Sequence, residues 1–589
     1  DKQSINLNYK TSVIDVRGDG STITQNNLPG NFNKRDDTRS INNHSFYQNI
    51  IGLFDNKLST TSDLNIRFVF NDNSNETENE NISSTRRGNN VLQNTNRNVT
   101  TNNVNTNNGN ISINYVKRFK KEGRSISINT GTSFYNAKGD GYLRSEAAFY
   151  NEDGLLDSID MIDQFKPTGS DITGIFGGAS YTDAFSKRLS LSTSYNASRN
   201  VSRIDRLSFN GDLNNGYNEV DSLFSSKYKL VNESQTLNAR LNYINGKTSA
   251  SISNSLIHSN LNQNDVFLSE QSFNRSFLNI QPNANYRYQL TKAASLSFDY
   301  SGYARQPFTS DLQPVRSNAD PLNIRLGNPN LKPAFDNRFG YNYRVYQPTK
   351  DQGINFRGWI NTTMNAIISN RSTDSAGINF ITISNLRERN PIAWYAYTEV
   401  YGHATKFDFI VFIAFVINGS TSYNYVNGQL NSIKNLDYQP EIRIAKSKAR
   451  YNYDLSFRPA FIVNTNSLQR SINNNSTGHT TNASGNYKFK NGFFIAGNLN
   501  YRYNSANQVF DKPFEQLLVS ANVGKSFFKE ESFKISLTGN DLFNQNTGYS
   551  RYGTNGNFTE ERNDVIRRYF MVSAIWDFTK FGKSLQKQQ

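Results

Sequence analysis

The stretch Tyr451-Asn452-Tyr453-Asp454-Leu455-Ser456-Phe457-Arg458-Pro459-Ala460-Phe461-Ile462-Val463 decides the fold. Tyr451, Tyr453, Leu455, Phe457, Pro459, Phe461 and Val463 take every second position, and Asn452, Asp454, Ser456 and Arg458 stand between them. Side chains alternate across a β-strand, so this is a strand with one apolar face and one strongly polar face. The same period recurs outward from it. Leu189, Leu191, Thr193, Tyr195 and Ala197 alternate with serines and Asn196, and Leu296, Phe298 and Tyr300 alternate with Ser295, Ser297, Asp299 and Ser301. Helical periodicity is nearly absent.

The strands come in hairpins. Segments 44–54 and 62–70, 110–119 and 125–135, 173–185 and 189–198, 236–244 and 248–257, and 276–290 and 295–303 form five pairs. Segments 337–346 and 354–367, 393–403 and 407–425, 438–446 and 450–464, 483–489 and 493–503, and 516–528 and 532–543 form five more. Single strands at 4–12 and 568–578 bring the expected count to about twenty-two. Turns within hairpins are short and basic, with Lys120, Lys121, Arg124, Lys187, Arg188, Lys247 and Lys292 among them. Connections between hairpins are long: 71–109, 136–172, 199–235, 304–336, 368–392 and 544–567. Loops of that length are improbable inside a compact soluble domain. They suit a transmembrane barrel with short turns on one side and long loops on the other. The segment 71–109 reads as a low-complexity outer loop of Asn, Thr and Ser.

Composition agrees. Of 589 residues, 36% are hydrophobic, 13% are aromatic, and about one in seven is Asn. That mixture disfavours a compact α/β enzyme, and the Phe and Tyr content disfavours disorder. There is no Cys, hence no disulfide, thiolate metal site or Cys nucleophile. The longest apolar run, Phe409–Ile417, falls far short of the ~18 residues of a spanning helix. The formal charge of +15 is spread along the chain with no basic block, so nucleic acid is not an expected partner. No zincin, nucleophile-elbow or P-loop motif occurs, so no enzyme is expected, and no cofactor. A bilayer offers no partner for open-edge amides, so a spanning sheet must close. The expectation is therefore an all-β, closed antiparallel transmembrane β-barrel of about twenty-two strands, formed by residues 1–578, with a basic periplasmic tail at 579–589. Phe570, Val572, Ala574, Trp576 and Phe578 form one face of the last strand, suited to the barrel-insertion machinery.

Gly327-Asn328-Pro329-Asn330-Leu331-Lys332-Pro333 resembles the signature heptapeptide of TonB-dependent receptors, and precedes a Tyr-rich strand as it does in that family. Ala334 stands where the family commonly has Glu. Leu537-Thr538-Gly539-Asn540-Asp541-Leu542-Phe543-Asn544 is similar to the family's late element, and the overall composition resembles the barrels of Bacteroidota. The resemblance implies an outer-membrane protein of a Gram-negative cell, contacting outer-membrane lipids and taking up a large nutrient. It also implies a TonB-engaged plug. The sequence given opens on a strand at Ser4–Thr11, so a plug is expected only from an upstream region, or not at all in a plugless relative. The alternative function is a non-transport barrel that scaffolds a secretion or barrel-assembly complex, with a surface lipoprotein or other subunit as partner.

Four further features carry expectations. Arg240, Arg338, Arg344, Arg458 and Arg502 are expected to face the lumen, as a path for an anionic solute or as partners of inward carboxylates such as Asp299 and Asp454. Asp153, Asp157, Asp160 and Asp163 are a weak Ca²⁺ candidate without EF-hand spacing. Arg17-Gly18-Asp19-Gly20 reads as a turn in the first outer loop. Phe409–Ile417 breaks the alternation and is expected to pack a plug, an inward loop or a partner.

Overall fold

The computed structural model describes residues 3–28, 31–212, 216–267, 272–312, 320, 322–470, 475–508, 510–528, 531–554 and 557–577. Among them are thirty strands in one sheet. The succession of antiparallel partners runs Gln3–Leu28, Asn31–Ser59, Ser62–Arg87, Leu92–Arg118, Ser125–Tyr150, Thr168–Ala184, Leu189–Arg206 and Ser226–Asn245. It continues through Thr248–Asp265, Phe273–Gln289, Ala294–Arg305, Ala334–Gln347, Gln352–Met364, Ile392–Ala404 and Phe409–Val426. It ends with Gln429–Lys448, Tyr451–Asn466, Ser476–Lys488, Phe493–Asn504, Phe514–Phe527, Phe533–Asn540 and Tyr569–Trp576. These twenty-two strands make the wall, and the other eight of the thirty lie in connections between wall strands. The expected count thus omitted eight short strands. They run from three to ten residues and lie almost entirely inside segments read as loops.

Register explains the wall's two faces. Ile5 opposes Phe54, Ile66 opposes Ile113, Leu241 opposes Ile252, Phe339 opposes Ile360, Ile413 opposes Ile442 and Leu537 opposes Val572. Directly opposed residues share a face, so the apolar side chains form one continuous row. That row is bare: Ile5 is 80% exposed, Ile252 68% and Val572 74%. An apolar surface of this extent belongs against lipid.

Two expectations on the outer connections are corrected. Residues 71–109 are not a loop. They are the far halves of strands Ser62–Arg87 and Leu92–Arg118, joined by a turn at 88–91. Cross-strand amide bonds hold them. Asn71 Nδ2 donates to Asn108 at 2.8 Å, Tyr47 Oη donates to Asn71 at 2.8 Å, and Thr77 Oγ1 donates to Asn43 at 2.6 Å. Low hydrophobicity suggested a loop, but facing amides satisfy one another and extend the ladder. Likewise Arg17-Gly18-Asp19-Gly20 is not a turn but lies within Gln3–Leu28, opposite Arg39–Asn42. The first five wall strands are 26 to 29 residues long, against about 9–11 needed to cross a bilayer, so their far halves project beyond it.

Gly20–Gln25 of the first strand pairs with Phe558–Asn563, a strand in the last connection. Among the described residues, no ladder joins the first strand to the last strand, Tyr569–Trp576. The hairpin Tyr549–Thr554 and Asn557–Asn563 pairs with the first strand and, among the described residues, with no strand at the other end of the wall, so the expected first-to-last closure is not seen as a ladder here. Phe578 and the tail 579–589 lie outside the described residues.

Candidate functional site

Two clusters of buried apolar side chains lie in two outer connections, 306–333 and 365–391. Leu312, Leu331 and Ile383 form one cluster, and Ala366, Ile368 and Leu386 form another, with Leu312 0% and Leu331 and Leu386 1% exposed. The second connection carries a hairpin of Ala366–Thr373 and Asn379–Leu386. Asn323–Arg325 from the first connection adds to it in parallel, opposite Asn379–Ile381.

The heptapeptide fastens this unit to the wall. Asn328 donates from its backbone to the Asp311 carbonyl at 2.6 Å and from Nδ2 to the Ile383 carbonyl at 3.0 Å. Lys332 exchanges bonds with Asn385, receiving 2.9 Å and donating 2.8 Å. Arg275 of the wall donates to the Pro329 carbonyl. The Pro residues supply no N–H, so the segment cannot join a ladder and is tied by side-chain amides instead.

The hairpin's other end reaches across the mouth. Arg87 Nη2 donates to the Ser375 carbonyl at 3.4 Å, Gln93 Nε2 donates to the same oxygen at 3.2 Å, and Asn94 Nδ2 donates to the Ala376 carbonyl at 2.9 Å. Arg371 Nη1 reaches Asn26 Oδ1 at 2.9 Å. Residues 87–94 join the third and fourth wall strands, whereas the hairpin springs from the thirteenth. The contact therefore spans nine or ten of twenty-two strands, close to half the wall. Asn26, Asn94 and Arg275 all stand on the polar face, since Tyr9, Ile111 and Leu278 on the same strands belong to the apolar row. The sheet thus curls with its polar face inward, and the hairpin bridges that face from one side to the other. Gly377 makes the latch possible. Its φ is +84°, and a Cβ there would come within 2.6 Å of Asn94 Nδ2.

The five arginines all lie on the polar face, one residue out of step with apolar neighbours such as Leu241, Phe339 and Tyr501. Arg458 bonds Glu441 at 2.6 Å. Arg338 stacks over Trp359 at 4.8 Å, Arg344 over Tyr346 at 5.3 Å, and Arg502 over Phe514 at 5.7 Å. Asp454 is taken by Arg443 at 2.5 Å rather than by any of the five. Arg443 also stacks over Phe412 at 4.8 Å. The run Phe409–Ile417 is resolved by this contact. Ile413 and Phe415 join the apolar row, while Phe412 and Ala414 turn inward against Tyr401, Arg443 and Glu441.

The calcium candidate is corrected. Asp157, Asp160 and Asp163 lie in strand Leu156–Phe165, where alternation puts Asp160 on the opposite face from the other two. Asp153 sits in the preceding turn, and Asp163 instead bonds Tyr217 at 2.8 Å. No acidic cluster that could hold a metal occurs among the described residues. In the last strand, Phe570, Val572, Ala574 and Trp576 share the apolar row with Gly539, Leu537, Ile535 and Phe533.

Two titrating groups outside the wall's span are shifted. Lys166, in an outer connection, is pushed down to about 8 by burial, partly offset by Asp221. Asp408, in a short turn, is held down to about 2 by hydrogen bonds from Lys446 and Lys448, with His403 adding to them. The short-turn end thus carries a charged rim, with Lys121 and Arg124 on Asp183 at 2.7 and 2.9 Å.

Sequence reading missed the latch, because its acceptors are backbone carbonyls that any residue type supplies. The one legible trace was the turn Asp374-Ser375-Ala376-Gly377 inside a long connection.

Among solved structures, the chain is similar to the siderophore receptor PirA from Pseudomonas aeruginosa, at 10% identity over 93% of this chain and 81% of that one, with a TM-score of 0.38. It is also similar to the copper transporter OprC, at 11% over 94% and 80%, TM-score 0.45. The alcaligin outer-membrane receptor FauA from Bordetella pertussis matches at 9% over 94% and 76%, TM-score 0.38. No curated protein matches the sequence. The profile of the outer membrane protein beta-barrel family matches residues 117–576, most of the chain, and this protein belongs to that family, placed in the outer membrane of a Gram-negative cell.

Proposed function

We propose that the chain is the wall and outer cap of an uptake barrel for a nutrient too large for general diffusion. In this reading the wall closes in the membrane, the short basic turns face the periplasm, and TonB drives transport through a plug. The observation that carries it is the hairpin Ala366–Leu386, which crosses the mouth and is tied to the far wall by Arg87, Gln93 and Asn94. A wide barrel leaks unless its lumen is filled, and a cap joined by polar contacts is a barrier that can open.

Conductance in a planar bilayer tests the cap. The intact chain should show small or no steps. Replacing residues 366–386 with a short Gly-Ser linker should give large steps. Equal conductance by both would remove the cap as a barrier.

The scaffold reading draws on a separate feature, the projecting halves of the first five strands. Their surface offers room for a lipoprotein or another envelope subunit. Pull-down with tagged full chain from envelope extracts, with loss of the partner on trimming 71–109, would favour it.

A further inference from the structure

A second feature of the polar face lies away from the cap. Between the wall strands Gln429–Lys448, Tyr451–Asn466 and Phe493–Asn504 and the outer hairpin of Tyr549–Thr554 and Asn557–Asn563 is a cleft of about 340 Å³. Its size falls in the usual range for a small-molecule site, roughly 300–1,000 Å³. Phe510 and Phe558 form an apolar wall, 7% and 8% exposed and edge-to-face at 6.4 Å. Amides such as Asn435 and Asn504 form the rim, and two cations, Arg502 and Arg551, line it with no carboxylate.

The two cations are not equivalent. Arg551 is committed. It donates to the carbonyls of Lys512 at 2.7 Å, Asn504 at 3.0 Å and Ser505 at 2.6 Å, and lies over Phe510 at 4.8 Å. Arg502 has only the face of Phe514 at 5.7 Å, and stands in no ion pair among the described residues. Its neighbours on the same wall do otherwise: Arg443 and Arg458 each hold a carboxylate, at 2.5 and 2.6 Å. Arg502 is exposed and lines the cleft without a counter-charge, and such a guanidinium favours an anion that brings a planar, bidentate pair of acceptors.

We propose that this cleft is a binding subsite for a carboxylate carried on a hydroxyl-rich ring, an acidic sugar. Arg502 takes the carboxylate. The amide rim takes hydroxyls, since amides both donate and accept. The Phe510 and Phe558 wall takes the ring's apolar face. A phosphate dianion fits less well, because only one guanidinium has donors to give. The proposal rests on the uptake reading, and names the class of nutrient that reading leaves open.

Isothermal titration of the detergent-solubilised full chain with trigalacturonate, and with uncharged maltotriose as the matched control, tests it. The acidic trisaccharide should bind and the neutral one should bind at least tenfold more weakly. Arg502→Gln should lower the acidic sugar's affinity at least tenfold, whereas Lys187→Gln, which removes one charge at the opposite rim, should leave it unchanged. Equal binding of the two sugars, equal loss in both variants, or no binding of the acidic sugar at all would overturn the subsite. Because binding is read without transport, these failures are distinct from failure of the uptake reading. That reading fails if cells carrying the whole system do not accumulate a sugar that the purified chain binds.

Discussion

At residue scale, single side chains in this protein act by the backbone and charges around them more than by their type. Asp408 has φ +56°, a left-handed turn position that Asn tolerates as well as Asp does. Asp408→Asn therefore isolates the charge. The Asp408 carboxyl is held below its ordinary 3.8, at about 2, by Lys446 and Lys448. Its contribution is thus full above pH 3.8 and is lost as pH falls through about 2. The heat-denaturation midpoint of the wild type should fall more steeply than that of Asp408→Asn between pH 5 and pH 2. Parallel curves would show that the pair does not couple to folding. Gly377 is the opposite case, where only the absence of a side chain serves. Gly377→Ala forces both a strained φ and a clash with Asn94, a cost of about 1–3 kcal/mol. The latch should loosen while the wall stays folded. Protease cutting near Ser375 in the purified protein, with heat-modifiable migration unchanged, checks this.

At element scale, the wall strands were legible because their faces alternate, and their register carries more than the pairing shows. Gly20 opposes Asn563 and Gln25 opposes Phe558. Continued without a bulge, this register places Leu7 opposite Trp576, Tyr9 opposite Ala574, Thr11 opposite Val572 and Val13 opposite Phe570. Every one of these falls on the apolar row. The bare edges on either side carry unpaired amides that hydrocarbon cannot satisfy. First and last strands are therefore expected to pair in this register in the membrane. The double variant Tyr9→Cys with Ala574→Cys should cross-link in outer membranes, and Tyr9→Cys with Val572→Cys should not. The reverse result would shift the register. The projecting halves 71–109 were illegible for a related reason. Asn, which dominates them, is disfavoured in strands, and facing partners across the ladder make the segment a strand.

At the scale of the whole molecule, orientation is the open choice that the charged rim bears on. Lys120, Lys121, Arg124, Lys187, Arg188, Lys247 and Lys292 gather at the short-turn end, and the cap and projecting strands lie at the other. With the short turns in the periplasm, protease added to intact cells should cut the exposed outer turns and spare Lys187-Arg188. Cleavage at Lys187-Arg188 in sealed cells would invert the topology.

The amino-acid sequence by itself determined the wall. Period-two alternation is a local property, and once one face must meet lipid, the strands, their hairpins and the side each residue takes all follow from it. Arg240, Arg338, Arg344, Arg458 and Arg502 could be put on one face by counting alone. The tertiary structure decided how that face is used. Gln93 and Ser375 are separated by 282 residues, and their bond depends on a backbone carbonyl, a glycine turn and the curl of the whole sheet. Likewise, nothing in the order of residues tells Arg443, which holds a carboxylate, from Arg502, which does not. That difference is set by which strands the register brings side by side.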